Sequence, residues 1–175
     1  VVEYMLNQYG DDETISWAMA GRSHEKLVAV RDALGVSKDV PLLTVDSDDE
    51  ESIIQMVQQT HCVLTTVGPY QLYGPNIVKQ CVAHGIDYVD LCGEPGWMHE
   101  MINEHAAQAK ETGARIVFSC GFDSIPFDLG VYFLQKEVIA QHGKPACNVR
   151  GRVRAMNGEF SGGTAASLGA TMACL

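Results

Sequence analysis

The chain has no apolar run approaching the roughly 18–20 residues of a membrane span. It has no C-x-x-C pair, no histidines spaced i, i+4, no internal repeat, no low-complexity tract and no G-x-G-x-x-G loop. Positive charge is scarce: 12 Lys and Arg stand against 22 Asp and Glu, a formal net charge of −10. That balance argues against sequence-independent nucleic-acid binding, which needs a basic surface, but leaves room for a local basic pocket that takes a small anion. The start, Val1-Val2-Glu3-Tyr4, is not a charged leader followed by an apolar core, so no signal peptide is expected. The six cysteines at 62, 81, 92, 120, 147 and 174 lie mostly inside apolar runs. They predict buried free thiols in a reducing cytoplasm, with no disulfide framework and no metal site.

What is present is ordinary in bulk: 175 residues, 46% hydrophobic and 19% charged, enough for one domain with a core, or for one domain plus a piece of another. Four apolar runs each end in a glycine turn: Ile15–Ala20 before Gly21, Val63–Val67 before Gly68, Tyr88–Cys92 before Gly93 and Ile116–Cys120 before Gly121. Helical patterns lie between them. Strand, glycine turn and helix in repetition predict a parallel α/β sheet, whose ligands bind at the carboxyl ends of the strands. The strands are expected over Thr14–Ala20, Val40–Val45, Cys62–Val67, Ile86–Leu91 and Arg115–Ser119.

Helices are expected over Val1–Tyr9, from the Ser23 cap to Leu34 and Gly35, and from Ser47-Asp48-Asp49-Glu50, read as a capping box, to about Gln59. Three more run from Pro75 to Gly85 with Ile77, Val78, Cys81 and Val82 inward, over Trp97–Glu111, and from Pro126 to about Ala140. Beyond Gly143 the period changes. Ala146–Met156 alternates, with Arg150, Arg152 and Arg154 on one face, and predicts a half-exposed antiparallel strand. Gly158–Leu175 reads as a small-residue loop and a helix.

The first helix has no strand before it, and the turn Ala20-Gly21-Arg22-Ser23 does not hold a glycine-rich phosphate loop. The expected fold is therefore an α/β, Rossmann-type, doubly wound parallel sheet lacking its first strand and glycine-rich loop. The start of an α+β substrate domain follows. Residues 1–143 are the expected partial NAD(P)-binding domain and 144–175 the start of a truncated substrate or dimerisation domain. The competing view takes Thr14–Ala20 as a genuine first strand.

If Thr14–Ala20 is the second strand, Gly21-Arg22-Ser23, with Lys26, sits where the adenine ribose is read. An arginine there suits the 2′-phosphate of NADP where an acid would suit NAD; an ordinary exposed turn arginine is the alternative. Asp46 and Ser47 are candidates for the adenine pocket, or only a helix cap. Val67-Gly68-Pro69-Tyr70, with Tyr73 and Gly74, is placed beside the nicotinamide ribose, or is only a rigid turn. Asp90-Leu91-Cys92-Gly93-Glu94 ends the next strand with two carboxylates. Glu94 is the candidate acid or base at the rim, or else the cap of the Trp97 helix. In Ser119-Cys120-Gly121-Phe122-Asp123-Ser124-Ile125-Pro126, Ser119, Cys120, Gly121 and Phe122 face the cofactor's reactive end, and Asp123 or Ser124 caps the helix. Glu94, Tyr70 and Asp123 are the catalytic candidates.

Two further patterns remain open. Tyr132-x-x-x-Lys136, with Ser119 upstream, matches a short-chain dehydrogenase set, or is a helix surface. The three arginines with Gly162-Gly163-Thr164 suit an acidic substrate group, or are a solvated face.

Trp17–Leu27, Val67–Tyr70 with Tyr73-Gly74, Asp90–Pro95 and Ser119–Pro126 with Asp128-Leu129-Gly130 together resemble the saccharopine dehydrogenase-like oxidoreductase family. That family includes bacterial members described as trans-acting enoyl reductases. The resemblance implies an N-terminal Rossmann domain opening on a G-A-T-G-x-x-G type loop, a following α+β substrate domain, and NAD(P)-dependent oxidoreduction. The expected activity is hydride transfer from NADP(H), with NAD second, to a small carbonyl, imine or activated alkene. A non-catalytic nucleotide-sensing or scaffold protein is the alternative. Expected partners are a small-molecule substrate and a second copy of the chain, bound through the 144–175 segment, with no nucleic acid.

Overall fold

The structure, a computed structural model, describes residues 1–10, 12–158 and 161–173. Part of the loop after Gly158 and the thiol of Cys174 lie outside them. The chain divides into two compact units, one ending at Gln59 and one beginning at Thr60. The first contains helix α1 (Val2–Tyr9), strand β1 (Met19–Gly21), helix α2 (His24–Leu34), strand β2 (Leu42–Thr44) and helix α3 (Glu50–Val57). The second contains β3 (Cys62–Thr65), α4 (Tyr70–Tyr73), α5 (Pro75–His84), β4 (Asp87–Asp90), α6 (Pro95–Thr112), β5 (Ile116–Val117), α7 (Ile125–His142) and α8 (Gly162–Ala173). Every pairing is parallel, in two sheets ordered β1-β2 and β3-β4-β5. The expected α/β architecture is therefore present.

In the first unit the helix ends follow local chemistry. The Ser23 side chain accepts from the Lys26 amide to open α2, and Gly35 closes it in the left-handed conformation at φ 69°. The capping box is displaced. Asp49, not Ser47, caps α3, because the chain first turns on itself: the Asp46 carboxylate accepts from the Asp48 amide at 3.1 Å. The strand expected over Thr14–Ala20 pairs only at Met19–Gly21. The Met19 amide donates to the Pro41 carbonyl at 2.9 Å, and Pro41 has no N–H to carry the parallel ladder on to the Trp17 carbonyl, so the ladder stops there.

In the second unit the core is the face of β3 and β4 that carries Val63, Thr65, Tyr88 and Asp90, together with α5 and α6. Ile77, Val78, Cys81 and Val82 are buried as their spacing predicts. Burying Ile77, Val78 and Val82 contributes about 1.5–3 kcal/mol each. Gly85 joins α5 to β4 at φ 70°, with the Thr112 carbonyl 2.9 Å from where a Cβ would stand, so no side chain fits.

The strand expected over Ala146–Met156 is not formed. Both amide groups of Gln135 on α7 engage Ala146: Oε1 accepts from its N–H at 2.8 Å and Nε2 donates to its carbonyl at 3.0 Å. Those are the backbone groups a ladder would use, and no strand lies alongside among the described residues. Arg150, Arg152 and Arg154 therefore lie on irregular chain and share no strand face. Helix α7 buries no residue, and Phe127, Leu129, Tyr132 and Phe133 on it are exposed. No helix among the described residues is long and apolar enough to cross a membrane.

Candidate functional site

Within each unit the glycine turns follow the carboxyl ends of the parallel strands. In the first unit Gly21 is paired with Thr44, so the turn Gly21-Arg22-Ser23 leaves the sheet beside Val45-Asp46-Ser47. The Val45 amide donates to the Gly21 carbonyl at 3.1 Å. Arg22, Lys26 and Asp46 are exposed, and Gly21, Ser23 and Ser47 are half-buried. Arg22 stands on this turn and Lys26 in the first turn of α2, both exposed.

In the second unit Thr65 is paired with Asp90, and Val89 with Val117, so three turns leave one edge together. Two buried carboxylates brace them. Asp90, 2% exposed, accepts from three donors. Its Oδ2 takes the Tyr88 hydroxyl at 2.9 Å, and its Oδ1 takes the Cys92 amide at 3.0 Å and the Ser119 amide at 2.8 Å. The Asp90 carbonyl adds the Cys120 amide at 2.7 Å. The turn after β4 is thus tied to the chain after β5.

Glu94 ties the same turn to the chain after β3. It is 4% exposed, and its two oxygens accept from the Tyr70 amide at 2.9 Å and the Gln71 amide at 2.8 Å. The sequence placed Glu94 either at the rim or as the side-chain cap of the helix that starts at Pro95. It stands at that helix's N-cap position, yet its side chain makes no cap bond there and reaches α4 instead. The site is consolidated by rings: Tyr70 lies 5.7 Å from Trp97, Trp97 5.4 Å from Phe118, and Phe118 5.9 Å from Tyr88, between centroids. Gly74 lies under this cluster. A Cβ there would stand 2.5 Å from the Trp97 ring, so Gly74 is packing and not a wall of an open pocket.

The remaining candidates divide by exposure. Pro69 and Tyr70 are buried. The Tyr70 hydroxyl donates to the Thr65 carbonyl at 3.4 Å, and burial pushes its phenol up to about 12. Burial likewise pushes the Cys92 thiol up to about 12, and burial with Asp90 beside it pushes the Tyr88 phenol far up. Val67, Gly93, Cys120, Phe122 and Asp123 are exposed, while Gly68, Ser119 and Gly121 are half-buried. Gly93 has open space where a Cβ would stand. At Gly68 a Cβ would meet the Ser167 hydroxyl of α8 at 3.1 Å.

Ser119 holds φ 60°, the one non-glycine residue at positive φ among those described. Its hydroxyl donates to the Cys92 carbonyl at 2.7 Å. Tyr132 and Lys136 face solvent, with the Lys136 ammonium 5.6 Å from the centre of the Tyr132 ring. Ser124 takes the N-cap position of α7 without a side-chain cap bond. Among the described residues no three His, Cys, Asp or Glu side chains are grouped to hold a metal.

Sequence reasoning weighed Glu94 above Asp90 and gave Trp97 no role. The parity of β4 carried the missing signal: Tyr88 and Asp90 share the inward face, and an inward carboxylate must find donors.

The chain is similar to several known proteins. A protein of Mycobacterium tuberculosis with the provisional name trans-acting enoyl reductase is 43% identical over 167 residues, covering 95% of this chain and 39% of that protein. The "Lipid droplet localized protein" of Caenorhabditis elegans is 45% identical over 141 residues, 78% of this chain and 33% of that one. The chain thus spans well under half the length of these relatives. The solved structure of apo saccharopine dehydrogenase (L-Glu forming) from Saccharomyces cerevisiae shares the fold with a TM-score of 0.63 at 16% identity. It covers 81% of this chain and 29% of that one. The model of the saccharopine dehydrogenase NADP-binding domain matches residues 1–117. With that match over most of its length, and with parallel strands in both units, the chain belongs to the saccharopine dehydrogenase NADP-binding domain family.

Proposed function

We propose that the protein is an NADP(H)-preferring oxidoreductase that passes hydride to a small carbonyl, imine or activated alkene. The observation that carries this reading is the exposed Arg22 and Lys26, with Ser23 between them in sequence, after the carboxyl end of β1, in a chain that matches an NADP-binding family over residues 1–117. The residues fit the cofactor in part. Arg22 and Lys26 suit a 2′-phosphate, and the half-buried Ser23 lies between them. Asp46 and Ser47 suit the adenine side. Val67–Tyr70, Gly93 and Ser119–Phe122 suit the nicotinamide side, where the open space at Gly93 lets a flat ring approach the backbone. The sequence contains no glycine-rich loop for the pyrophosphate.

Reduced nicotinamide supplies the hydride when bound; this chain's residues position it. The names of the mycobacterial relatives favour an alkene acceptor. Residues 1–143 are read as cofactor domain and 144–175 as the start of a substrate domain that also joins two copies, in a cytoplasmic protein.

The test is titration of the full-length protein with NADPH and NADH. Arg22→Ala is expected to weaken NADPH about tenfold, or about 1.4 kcal/mol, and to leave NADH unchanged. Equal NADPH affinity in wild type and variant would remove the 2′-phosphate role. A second reading, a nucleotide-sensing protein without turnover, is favoured by one observation: both oxygens of Glu94 and the Tyr70 hydroxyl are engaged internally. It predicts NADPH binding without hydride exchange across a broad substrate panel.

A further inference from the structure

Glu94 joins three parts of the second unit. Its carboxylate accepts from the Tyr70 and Gln71 amides, its carbonyl accepts from the Met98 amide at 3.1 Å in the first turn of α6, and its own amide donates to the Cys92 sulfur at 3.3 Å. With an amide on each oxygen and 4% of its surface exposed, this carboxylate is turned inward to backbone and away from solvent. What it does control is the place of the backbone it holds. Tyr70 and Gln71 directly follow Gly68 and Pro69, and the Tyr70 ring rests on Trp97, three residues after Glu94. Two short charge-assisted bonds to adjacent amides fix that turn in direction as well as distance.

We propose that Glu94 is a positioning residue. By holding the Tyr70 and Gln71 amides it sets where the Gly68–Tyr70 turn lies at the sheet edge, and through that turn the fit of the nicotinamide end of the cofactor. The inference rests on the reading of this edge as the nicotinamide side. It separates reach from charge: an aspartate keeps the charge and loses one methylene of reach, while a glutamine keeps the reach and one acceptor oxygen. Both lose the paired hold, and both leave the adenine-side residues of the first unit untouched.

The experiment measures NADPH and 2′,5′-ADP binding to full-length wild type, Glu94→Gln and Glu94→Asp, with amide hydrogen exchange at Tyr70 and Gln71. Glu94→Gln is the milder change and serves if Glu94→Asp does not fold. Each variant is expected to bind NADPH about tenfold more weakly, to bind 2′,5′-ADP as wild type does, and to exchange both amides faster. A purely structural role would weaken both ligands together, and a charge role would spare Glu94→Asp; either result overturns the proposal. So does unchanged NADPH binding in both variants while the wild type binds. A wild type that binds neither ligand overturns the cofactor reading itself, and this inference with it.

Discussion

The turn after β1 is held by the Ser23 hydroxyl, which accepts from the Lys26 amide, and by the Gly21 carbonyl, which accepts from the Val45 amide, and the Arg22 and Lys26 side chains beside it are exposed. The turns after β3, β4 and β5 are held by Asp90 and Glu94, which between them accept five donors out of sight of solvent. The same fold element, a strand end in a parallel sheet, is thus built once as an open charged surface and three times as a braced one. In sequence both kinds display charged and glycine residues in a short turn. In space they differ in exposure: at the first, the charged side chains are exposed; at the others, two buried carboxylates hold backbone.

Changes at three residues would break or sharpen that contrast. The largest effect is expected from Asp90→Ala, which strands the Tyr88 hydroxyl and the Cys92 and Ser119 amides. At about 1–3 kcal/mol for each buried donor, urea unfolding is expected to register a loss of about 3 kcal/mol or more. Asp90→Asn keeps an oxygen for the two amides and is expected to cost about 1 kcal/mol. An alanine no worse than the asparagine would mean that the brace carries no stability.

Ser23→Ala comes next, at about 1 kcal/mol for a lost helix cap, read in the unfolding of the first unit. If it cost as much as Asp90→Ala, the open turn would be as constrained as the braced ones.

The smallest effect is expected at the amino end of the β3–β4–β5 sheet. There Arg115 donates to both oxygens of Asp87, and these hydrogen bonds hold the Asp87 carboxyl below its ordinary 3.8. A lowered folded value gives stability that is present above about pH 4 and is lost as pH falls through that lowered value. Acid unfolding curves of wild type and Arg115→Ala are therefore expected to differ slightly near neutrality and to merge in strong acid. Curves that diverge toward low pH would reverse the assigned sign.

Local signals were legible. Ser23 and Gly35 around α2, Pro75 and Gly85 around α5, and the apolar face of α5 follow from a few neighbouring residues. The parallel frame followed from the repetition of strand, turn and helix. What sequence could not supply was any bond whose partner lies far along the chain. Glu94 reaches 24 residues back to Tyr70, and Asp90 reaches 29 forward to Ser119. Nothing in a six-residue motif distinguishes a carboxylate aimed at substrate from one aimed at backbone. The alternation over Ala146–Met156 failed for a related reason: period two describes a strand only if another strand is there to pair with it, and Gln135 takes the backbone of Ala146 first. Ser47 lost the cap of α3 to Asp49 because the Asp46 turn shifts the helix start by two residues.

The aromatic cluster has a consequence for observing the molecule. The chain has two tryptophans, and each unit holds one: Trp17, half-buried, in the first, and Trp97, 5% exposed, in the second. The Trp97 indole N–H has no hydrogen-bond partner among the described residues, and its ring lies between those of Tyr70 and Phe118. Its emission is therefore expected at shorter wavelength than that of the half-buried Trp17. The molecule carries its own pair of optical labels, one for the unit with the open turn and one seated against the braced edge.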